Sequence, residues 1–358
     1  MLEIYRNKRI FITGHTGFKG SWLSYVLCNA GAIVKGYALQ PDTDPSLYSL
    51  IEPHLSIQSV IADINDAQKV EEEILNFAPD FIFHLAAQPL VKKSYKEPLY
   101  TFSTNIMGTA YVLNALRKLP KPCTSLFITT DKVYENMEQD YAYKETDRLG
   151  GYDPYSASKT GAEIVISSYC NSFFNTADFA QHQKSIASVR AGNVIGGGDW
   201  SEDRLIPDIA KSIATGKPVI IRNPTAVRPW QHVLEPVFGY LQLAFALSTD
   251  VKKYSGAWNF GPANADNLPV LHIADLAIAT WKKGELVLNV DPNAVHEANL
   301  LQLDISKAMN VLQWKPSMDT QLAIERTITW YKAFYEEKAT AESLMEKDIL
   351  FYQSLLNK

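Results

Sequence analysis

The chain has 358 residues, of which 46% are hydrophobic and 20% are charged, so it can bury a large core and support an additional lobe. Its formal net charge of -5 provides no overall basic field, which excludes nucleic-acid binding as the main function. Cys28, Cys123 and Cys170 have the spacing of neither a disulfide framework nor a zinc site, which favours a reducing, cytoplasmic compartment.

The first apolar run, residues 10–12, is short and ends in a glycine-rich turn. It is too short for the core of a signal peptide or for a membrane span. We therefore predict a buried first strand, a soluble protein and no membrane partner.

Short β-branched or aromatic runs alternate with longer segments of helical spacing in the first half of the chain. Predicted strands cover residues 9–13, 33–39, 57–62, 81–86, 125–129 and 186–190, and predicted helices cover 21–30, 67–77, 105–119 and 155–174. Apolar strands that alternate with helices are typical of a parallel sheet covered on both faces. The sequence therefore predicts an α/β protein with a Rossmann-type, doubly wound parallel sheet.

After residue 190 the pattern loosens into glycines, prolines and short mixed segments, which predicts a second lobe. We predict a Rossmann domain over 1–190 with a return segment near 229–262. The smaller α/β lobe, over 191–228 and 263–358, is expected to close over the carboxyl edge of the sheet, so that ligands would lie between the domain and the lobe. Four aromatic residues near the C-terminus share one side of a predicted helix and suit a core or subunit contact: Trp330, Tyr331, Phe334 and Tyr335.

The sequence TGHTGFKG at 13–20 lies between the first predicted strand and the first predicted helix. Gly14, Gly17 and Gly20 allow a tight turn, a close approach of the backbone to a pyrophosphate, and close helix packing. The helix N-terminus also offers unpaired N–H groups to an anion. In this context the motif indicates dinucleotide binding rather than a purely structural turn.

Two further positions bear on the dinucleotide. Asp63 follows the third predicted strand, where its carboxylate could accept from an adenine amino group or could equally cap a turn or helix. After the second strand, where an acidic residue commonly binds the ribose, the chain has Gln40-Pro41 and reaches an acid only at Asp42. The residue pattern leaves the choice between NAD and NADP open.

Tyr155 and Lys159 are four residues apart, follow Pro154, and share one face of a predicted helix. An ammonium group at this position is expected to lower the pKa of the phenol and to hydrogen-bond a nicotinamide ribose. Such a pair is often only a solvated surface pair. Because this pair follows a glycine motif and five predicted strands, we instead interpret Tyr155 as a tyrosinate-like base.

Residues 129–134, TTDKVY, follow the fifth predicted strand at the edge where cofactor and substrate would meet. Thr130 can hydrogen-bond a hydroxyl that is being oxidised, and Asp131 and Lys132 provide an acid and a base beside it. An Asx turn is the structural alternative. We favour the catalytic interpretation because loops at this edge commonly carry function.

These motifs, with HLAAQ at 84–88 and Asn105, resemble the extended short-chain dehydrogenase/reductase superfamily. A narrower resemblance is to 4,6-dehydratases of the CDP-glucose type, and it rests on GHTGFKGSW at 14–22, TDK at 130–132, GGYDPY at 150–155, GGGDW at 196–200 and VRPWQHV at 227–233. The resemblance implies an NAD-dependent hydro-lyase that converts a nucleotide sugar, CDP-glucose, to a 4-keto-6-deoxy sugar. It also implies a homodimer or higher homo-oligomer built on helices 105–119 and 155–174, and a place in deoxysugar and polysaccharide synthesis.

The resemblance implies a role for each motif residue. Tyr155 takes the 4-hydroxyl proton as hydride passes to NAD, Thr130 aligns the hydroxyl and Lys159 holds the ribose. Asp131 then acts as the acid and Lys132 as the C5 base, and hydride returns to C6. A lysine base requires a neutral amine and hence a depressed pKa, so Glu135 is kept as a second candidate.

The implied cofactor contacts are Gly14, Thr16, Gly17, Phe18, Gly20, Asp63, Ile64, Leu85, Ala86, Ala87, Tyr155 and Lys159. Substrate contacts are expected from Gln88, Asn193, Arg204, Arg222 and Arg228, although each arginine could instead form a surface ion pair. His84 and His232 are expected to be structural, and no metal site is expected. The alternatives are a nucleotide-sugar 4-epimerase, a dehydratase for another nucleotide sugar, and a non-catalytic dinucleotide-binding protein.

Overall fold

A computed structural model of the protein describes residues 2–263, 268–289 and 300–356. Its strands are β1 (Arg9–Thr13), β2 (Ile33–Ala38), β3 (Ile57–Ile61), β4 (Phe81–His84), β5 (Cys123–Ile128), β6 (Ala142–Tyr143), β7 (Lys184–Ala191), β8 (Asn193–Ile195), β9 (Val219–Ile221), β10 (Val227–Arg228), β11 (Trp230–His232), β12 (Gly256–Phe260), β13 (Leu268–Pro269), β14 (Leu286–Leu288) and β15 (Gln302–Leu303). Seven of them form one sheet in the order β12-β7-β5-β4-β1-β2-β3, and all neighbouring pairs are parallel. The predicted Rossmann-type sheet is confirmed.

Helices cover both faces of this sheet. They are α1 (Phe18–Asn29), α2 (Leu47–Ile51), α3 (Ala67–Phe77), α4 (Val91–Lys96), α5 (Pro98–Phe102), α6 (Gly108–Lys118), α7 (Pro154–Ser172), α8 (Phe179–His182), α9 (Leu205–Ala214), α10 (Leu234–Thr249), α11 (Val251–Tyr254), α12 (Val270–Trp281), α13 (Thr320–Glu336) and α14 (Ala341–Leu356). Successive side chains of β1 enter different cores, because Cβ atoms alternate across a strand. Phe11 packs with α3 and α6, whereas Ile10 and Ile12 join the core that includes α1 and α10.

The chain leaves the sheet after β7 and returns to it much later. Between β7 and its return to the sheet, the chain forms α9 and the short strands β8 to β11. It then re-enters through α10, which packs against β5 and β7, and adds β12 as the outer strand beside β7. The elements α10 and β12 lie within the segment 229–262.

Small paired strands and the C-terminal helices complete the structure. β8 pairs with β11, β9 with β14, and β6 with β15 in parallel, whereas β10 and β13 are antiparallel. α13 packs against α9, α12 and β11, and α14 packs against α13 and α2. Residues 264–267, 290–299 and 357–358 of the predicted lobe lie outside the described residues.

The GGGDW segment at 196–200 is held by the aromatic residues of α13. The backbone nitrogen of Asp199 donates to the hydroxyl of Tyr331 at 3.0 Å, and Trp200 Nε1 donates to the hydroxyl of Tyr335 at 2.9 Å. Trp330 and Tyr331 are both buried. Of the two interpretations of this aromatic stripe, a core contact is the one that the structure shows.

Several predicted boundaries need correction. β5 begins at Cys123 and β7 at Lys184, before residues 125 and 186, and these two residues pair in the sheet. A lysine can begin the buried strand β7 because its ammonium donates to the carbonyls of Leu119, Lys121 and His182. β4 ends at His84 rather than residue 86. α1 begins at Phe18 rather than residue 21, and the predicted helix 105–119 starts as a π-helical turn, Ser103–Met107, that continues into α6.

Three observations bear on compartment and cofactors. All three cysteines are free thiols. Within the described ranges no helix is long and apolar enough to cross a membrane. In the same part of the chain no three His, Cys, Asp or Glu side chains come together as a group that could hold a metal ion.

Candidate active site

The glycine motif forms the turn between β1 and α1. A side-chain carbon at Gly14 would lie 2.7 Å from the nitrogen of Ala86, and one at Gly20 would lie 2.0 Å from the carbonyl oxygen of Gly14. Gly14 also has a φ of +76°, a conformation that favours glycine. Gly17 is exposed and is the N-cap of α1 without a side-chain cap, so the first turn presents N–H groups outward. This geometry fits the pyrophosphate of a dinucleotide.

Other predicted dinucleotide contacts line the same edge. Thr16 donates to the carbonyl oxygen of Leu39 at 2.9 Å, which ties the glycine turn to the end of β2. The carboxylate of Asp63 accepts from the backbone and side-chain nitrogens of Asn65 at 2.9 and 3.1 Å. Asp63 thus closes a turn in this structure, and its predicted contact with an adenine amino group stays a prediction. The neighbouring Ile64 is buried.

Residues 85–87 lie directly beneath this turn. The hydroxyl of Thr13 accepts from the nitrogen of Ala86 at 3.1 Å and contacts Nδ1 of His84 at 2.8 Å. Nε2 of His84 contacts the hydroxyl of Thr109 at 3.1 Å. Burial lowers the pKa of His84 to about 3, so this histidine is neutral and braces the loop, in agreement with a structural role.

Gln88 is occupied by its own loop. Its side-chain nitrogen donates to the carbonyl oxygen of Leu90 and the hydroxyl of Thr101, and its side-chain oxygen accepts from the nitrogen of Leu90. Its backbone nitrogen donates to Asn105 at 2.8 Å. Gln88 thus braces its own loop in this structure, and its predicted substrate contact stays a prediction.

Thr130 and Asp131 follow β5 at the carboxyl edge of the sheet. The hydroxyl of Thr130 donates to one carboxylate oxygen of Asp131 at 2.9 Å, while the other carboxylate oxygen is buried and has no hydrogen-bond partner within the described ranges. Burial raises the pKa of Asp131 above its usual range, and the positive charges of Lys132 and Arg228 partly oppose this shift. A carboxyl group in this setting suits a proton donor.

The two candidate bases are placed differently. Lys132 lies half-buried on the 3₁₀ turn Asp131–Val133 and interacts electrostatically with Asp131. Glu135 pairs with Arg148 at 3.1 Å and has 42% of its side chain exposed. Position therefore favours Lys132 over Glu135.

The cap of α7 sets the orientation of the Tyr/Lys pair. Asp153 accepts from the backbone nitrogens of Tyr155 and Ser156 at 2.9 and 3.0 Å and closes a capping box. Tyr155 and Lys159 are buried on one face of the helix. The ammonium of Lys159 donates to the carbonyl oxygen of Ile128 at 3.1 Å, at the end of β5.

The predicted effect of Lys159 on the phenol of Tyr155 stays a prediction, because burial dominates the pKa of Tyr155 in this structure. Burial raises the pKa of Tyr155 to about 12, although a hydrogen bond with Thr130 and the charge of Arg204 oppose the shift. The pKa of Lys159 is itself lowered to about 7 by burial and by the charge of Lys19. Desolvation outweighs charge here, and the sequence pattern alone could not indicate this.

Lys19 is a site residue to which sequence analysis assigned no role. It is the second residue of α1, and its charge interacts with those of Arg204, Asp131 and Lys159. Burial and Arg204 lower its pKa to about 8. A lysine within a glycine motif was the available signal, because a cation at a helix N-terminus is unfavourable unless an anion binds nearby.

Two of the predicted arginines belong to the same cluster. Arg204 precedes α9, and its charge acts on Tyr155. Its buried Nε has no hydrogen-bond partner in the part of the chain that the structure describes. Arg228 is buried on β10, donates to the carbonyl oxygen of Val227 at 3.0 Å, and acts on Asp131. Both guanidinium groups are therefore placed beside the catalytic candidates.

Arg222 and Asn193 have surroundings that differ from those of Arg204 and Arg228. Arg222 is exposed and pairs with Asp203 at 3.3 Å, and Asp203 also binds Lys92 of α4. Asn193 begins β8 opposite Trp230. The structure thus brings Arg204 and Arg228 to the catalytic cluster, whereas Arg222 has the surface ion pair that was its alternative role.

A doubly wound sheet with a glycine turn, a helical Tyr155–Lys159 pair and a Thr130–Asp131 loop at one edge defines an enzyme of the short-chain dehydrogenase/reductase type. The sequence profile described as GDP-mannose 4,6 dehydratase matches residues 11–327. The chain belongs to this epimerase/dehydratase family.

Two relatives are similar to the chain over nearly their full length. The chain is 48% identical to the CDP-glucose 4,6-dehydratase of Salmonella typhimurium over 93% of this chain and 92% of that protein. It is 27% identical to the CDP-paratose 2-epimerase of Salmonella typhi over 90% and 98% of the two chains.

Solved structures share the fold. The UDP-glucose 4-epimerase of Thermotoga maritima superimposes with a TM-score of 0.77 at 21% identity, over 92% of this chain and 100% of that one. The dTDP-glucose 4,6-dehydratase of Bacillus anthracis, in complex with NAD, superimposes with a TM-score of 0.75 at 20% identity, over 94% and 99%.

Proposed function

We propose that the chain is an NAD-dependent CDP-glucose 4,6-dehydratase, which converts CDP-glucose to CDP-4-keto-6-deoxyglucose and water. The observation that carries this proposal is the 48% identity to the Salmonella enzyme over nearly the whole of both chains. The clustering of Thr130, Asp131, Tyr155 and Lys159 at one sheet edge supports it independently.

The glycine turn, the exposed N-cap and Lys159 fit a dinucleotide, and NAD is the dinucleotide named with several related structures. Bound NAD would accept hydride from C4 of the sugar, return it to C6, and favour the phenolate of Tyr155 through its positive ring. Lys159 would hold the ribose. Residues 14–20, 63–64 and 85–87 would contact the rest of the dinucleotide.

In the oxidation step Thr130 aligns the 4-hydroxyl and Tyr155 removes its proton. The hydrogen bond between Thr130 and Tyr155 supports this assignment, since one hydroxyl can bridge the phenol and the sugar. The resulting C4 ketone acidifies the proton at C5, and this prepares the elimination.

In the elimination step Asp131 protonates the departing C6 hydroxyl and Lys132 removes the C5 proton. Burial raises the pKa of Asp131 and so favours the protonated form of its carboxyl group. Lys132 lies next to Asp131 in the chain, and this position favours it over Glu135 as the C5 base. The two groups can then act on adjacent carbons.

The nucleotide diphosphate is assigned to the lobe formed by 191–228 and 263–358. Arg204 and Arg228 are the best-placed phosphate ligands, because both lie against catalytic groups. Asn193 is kept as a substrate contact. Arg222 would reach the substrate only after exchange of its ion pair with Asp203.

We also propose a homodimer in the cytoplasm. The face formed by α5 to α7 exposes large apolar side chains, with Leu99 83% and Ile164 59% exposed, together with Met107. A second copy would bury them. Three free thiols suit a reducing compartment.

The experiment is incubation of the purified protein with NAD or NADP and, separately, CDP-glucose, dTDP-glucose, UDP-glucose and GDP-mannose, followed by mass spectrometry. Loss of one water from CDP-glucose alone is the expected result. Isomerisation without water loss would favour a 4-epimerase, water loss from another donor would reassign the nucleotide, and no turnover despite NAD binding would favour a non-catalytic protein.

A further inference from the structure

Glu163 of α7 is a buried carboxylate to which the proposed mechanism assigns no role. One of its oxygens accepts from the hydroxyl of Thr129 at 2.5 Å and from Arg190 Nε at 3.1 Å. The other accepts from the hydroxyl of Ser188 at 2.8 Å and from the terminal nitrogen of Arg190 at 3.0 Å. Both charged side chains are 4% exposed. Four hydrogen bonds, two of them from the guanidinium of Arg190, thus satisfy both oxygens of this buried side chain.

The network continues from Arg190 into the catalytic loop. A second terminal nitrogen of Arg190 donates to the hydroxyl of Tyr134 at 2.9 Å, and that hydroxyl donates to the side-chain oxygen of Asn259 at 2.7 Å. Thr129 and Tyr134 flank the segment 130–133, which contains the candidate acid and base. The Glu163–Arg190 pair therefore holds both ends of that segment.

Glu163 also lies one helical turn beyond Lys159, on the same face of α7. The charged or titratable groups described around Lys159 are Lys19 from α1, His84 from β4, and Tyr155 and Glu163 from α7 itself. His84 is neutral at physiological pH. Lys19 disfavours the ammonium form of Lys159, and Glu163 is the anion that favours it.

We propose that the Glu163–Arg190 pair is a positioning unit of the active site, which fixes the 129–134 loop against α7 and favours the ammonium form of Lys159 for binding a ribose hydroxyl. Its catalytic consequence rests on the proposed function. The effect on Lys159 does not.

A buried ion pair can also serve stability alone, so the variants must separate charge from packing. Glu163→Gln retains the shape and removes the negative charge, whereas Arg190→Gln removes the positive charge. Glu163→Asp retains the charge, and Ser188→Ala removes one neutral hydrogen bond to the same carboxylate.

The measurement is the pH dependence of Lys159 acetylation by acetic anhydride in the full-length protein, followed by peptide mass spectrometry. We expect a midpoint near pH 7 for the wild type. Glu163→Gln should lower the midpoint by about one pH unit, and Arg190→Gln should raise it. Glu163→Asp and Ser188→Ala should leave it close to the wild-type value.

Midpoint shifts in the same direction for Glu163→Gln and Arg190→Gln, or no shift in either, would overturn the proposal. A loss of packing does not depend on the sign of the charge removed, so it would not shift the two midpoints in opposite directions. If Glu163→Gln does not fold, the double variant Glu163→Gln/Arg190→Met leaves no buried unpaired charge and should still lower the midpoint. The labelling needs no substrate, so it remains decisive even if CDP-glucose is not the substrate.

With CDP-glucose, Glu163→Gln should move the alkaline limb of the kcat profile to lower pH. A downward shift of one unit in the midpoint reduces the protonated fraction of Lys159 about tenfold at high pH. An unchanged limb together with a shifted labelling midpoint would show that protonated Lys159 is not required for turnover, and this would overturn the catalytic part of the proposal.

Discussion

At the residue scale, Asp131 has one carboxylate oxygen held by Thr130 and a second, buried oxygen without a hydrogen-bond partner among the described residues. An unsatisfied buried acceptor is unfavourable unless a proton or a ligand hydroxyl occupies it. The position suits a group that carries a proton to a departing oxygen.

Asp131→Asn should therefore lower the rate of water loss by about 100-fold or more, because general acid catalysis typically contributes at least that much. Oxidation at C4 should survive, since Thr130 and Tyr155 are retained. Single-turnover absorbance would follow reduction of NAD, and mass spectrometry would follow water loss. Glu135→Gln, on the same loop, should behave like the wild type, and an equal loss of both half-reactions in Asp131→Asn would contradict the assignment.

Lys19 provides a second test of the charges around Lys159. Lys19→Met keeps much of the side-chain volume and removes the positive charge that depresses the pKa of Lys159. The acetylation midpoint of Lys159 should rise from about 7, in the direction opposite to that expected for Glu163→Gln. A fall, or no change, in the Lys19→Met midpoint would show that the two ammonium groups do not interact. Lys282→Met, far along the chain on the surface, is the control.

At the scale of elements, two glycines of the β1–α1 turn differ in the space that surrounds them. A side-chain carbon at Gly20 would lie 2.0 Å from a backbone oxygen, whereas one at Gly17 would have its nearest contact at 3.4 Å. A side chain at Gly20 could fit only if the backbone of the turn moved. Gly20 is therefore required by packing, whereas Gly17 has room for a methyl group.

Gly20→Ala should destabilise the protein by about 1–3 kcal/mol or more and weaken NAD binding, because α1 must shift away from β1. Gly17→Ala should leave the free energy of unfolding nearly unchanged. Urea denaturation and calorimetric titration with NAD would measure the two effects. Equal stability of both variants would show that the turn adapts to a methyl group at residue 20.

The sequence predicted those elements of the fold that depend on local residue patterns. The apolar strands, the glycine turn and the capped α7 are local patterns, and each occurs close to its predicted position. The contacts of Glu163 with Arg190 and of Gln88 with Thr101 depend on which strands and loops become neighbours. The raised pKa of Tyr155 depends on burial, which a pattern of residue types does not measure.

At the scale of the whole molecule, Glu235 of α10 joins distant parts of the chain. One carboxylate oxygen accepts from the backbone nitrogens of Ser317 and Met318, and the other accepts from the hydroxyl of Tyr352 in α14 at 2.7 Å. Burial raises the pKa of Glu235 from 4.5 to about 7. The C-terminal helix is therefore attached through a titratable group.

Because the folded state binds this proton more tightly than the unfolded state, the resulting stabilisation is complete below about pH 4.5 and is lost as the pH rises towards 7. The free energy of unfolding should fall across that window by about 3 kcal/mol from this group. Glu235→Gln should flatten the dependence in urea denaturation, apart from a remainder due to Asp348, whose pKa burial raises to about 6. Glu337→Gln, on the surface, should retain the full slope, and a slope unchanged in Glu235→Gln would refute the assignment.

The late return of the chain to the sheet has a consequence for synthesis on the ribosome. Until residues 256–260 have emerged, β7 is an outer strand with one row of unpaired backbone groups. A nascent chain can already assemble the other six strands, yet it presents this open edge to any neighbouring polypeptide. Translation of the intervening segment thus sets how long the growing protein is vulnerable to mispairing, and a pause between residues 191 and 256 would prolong that interval.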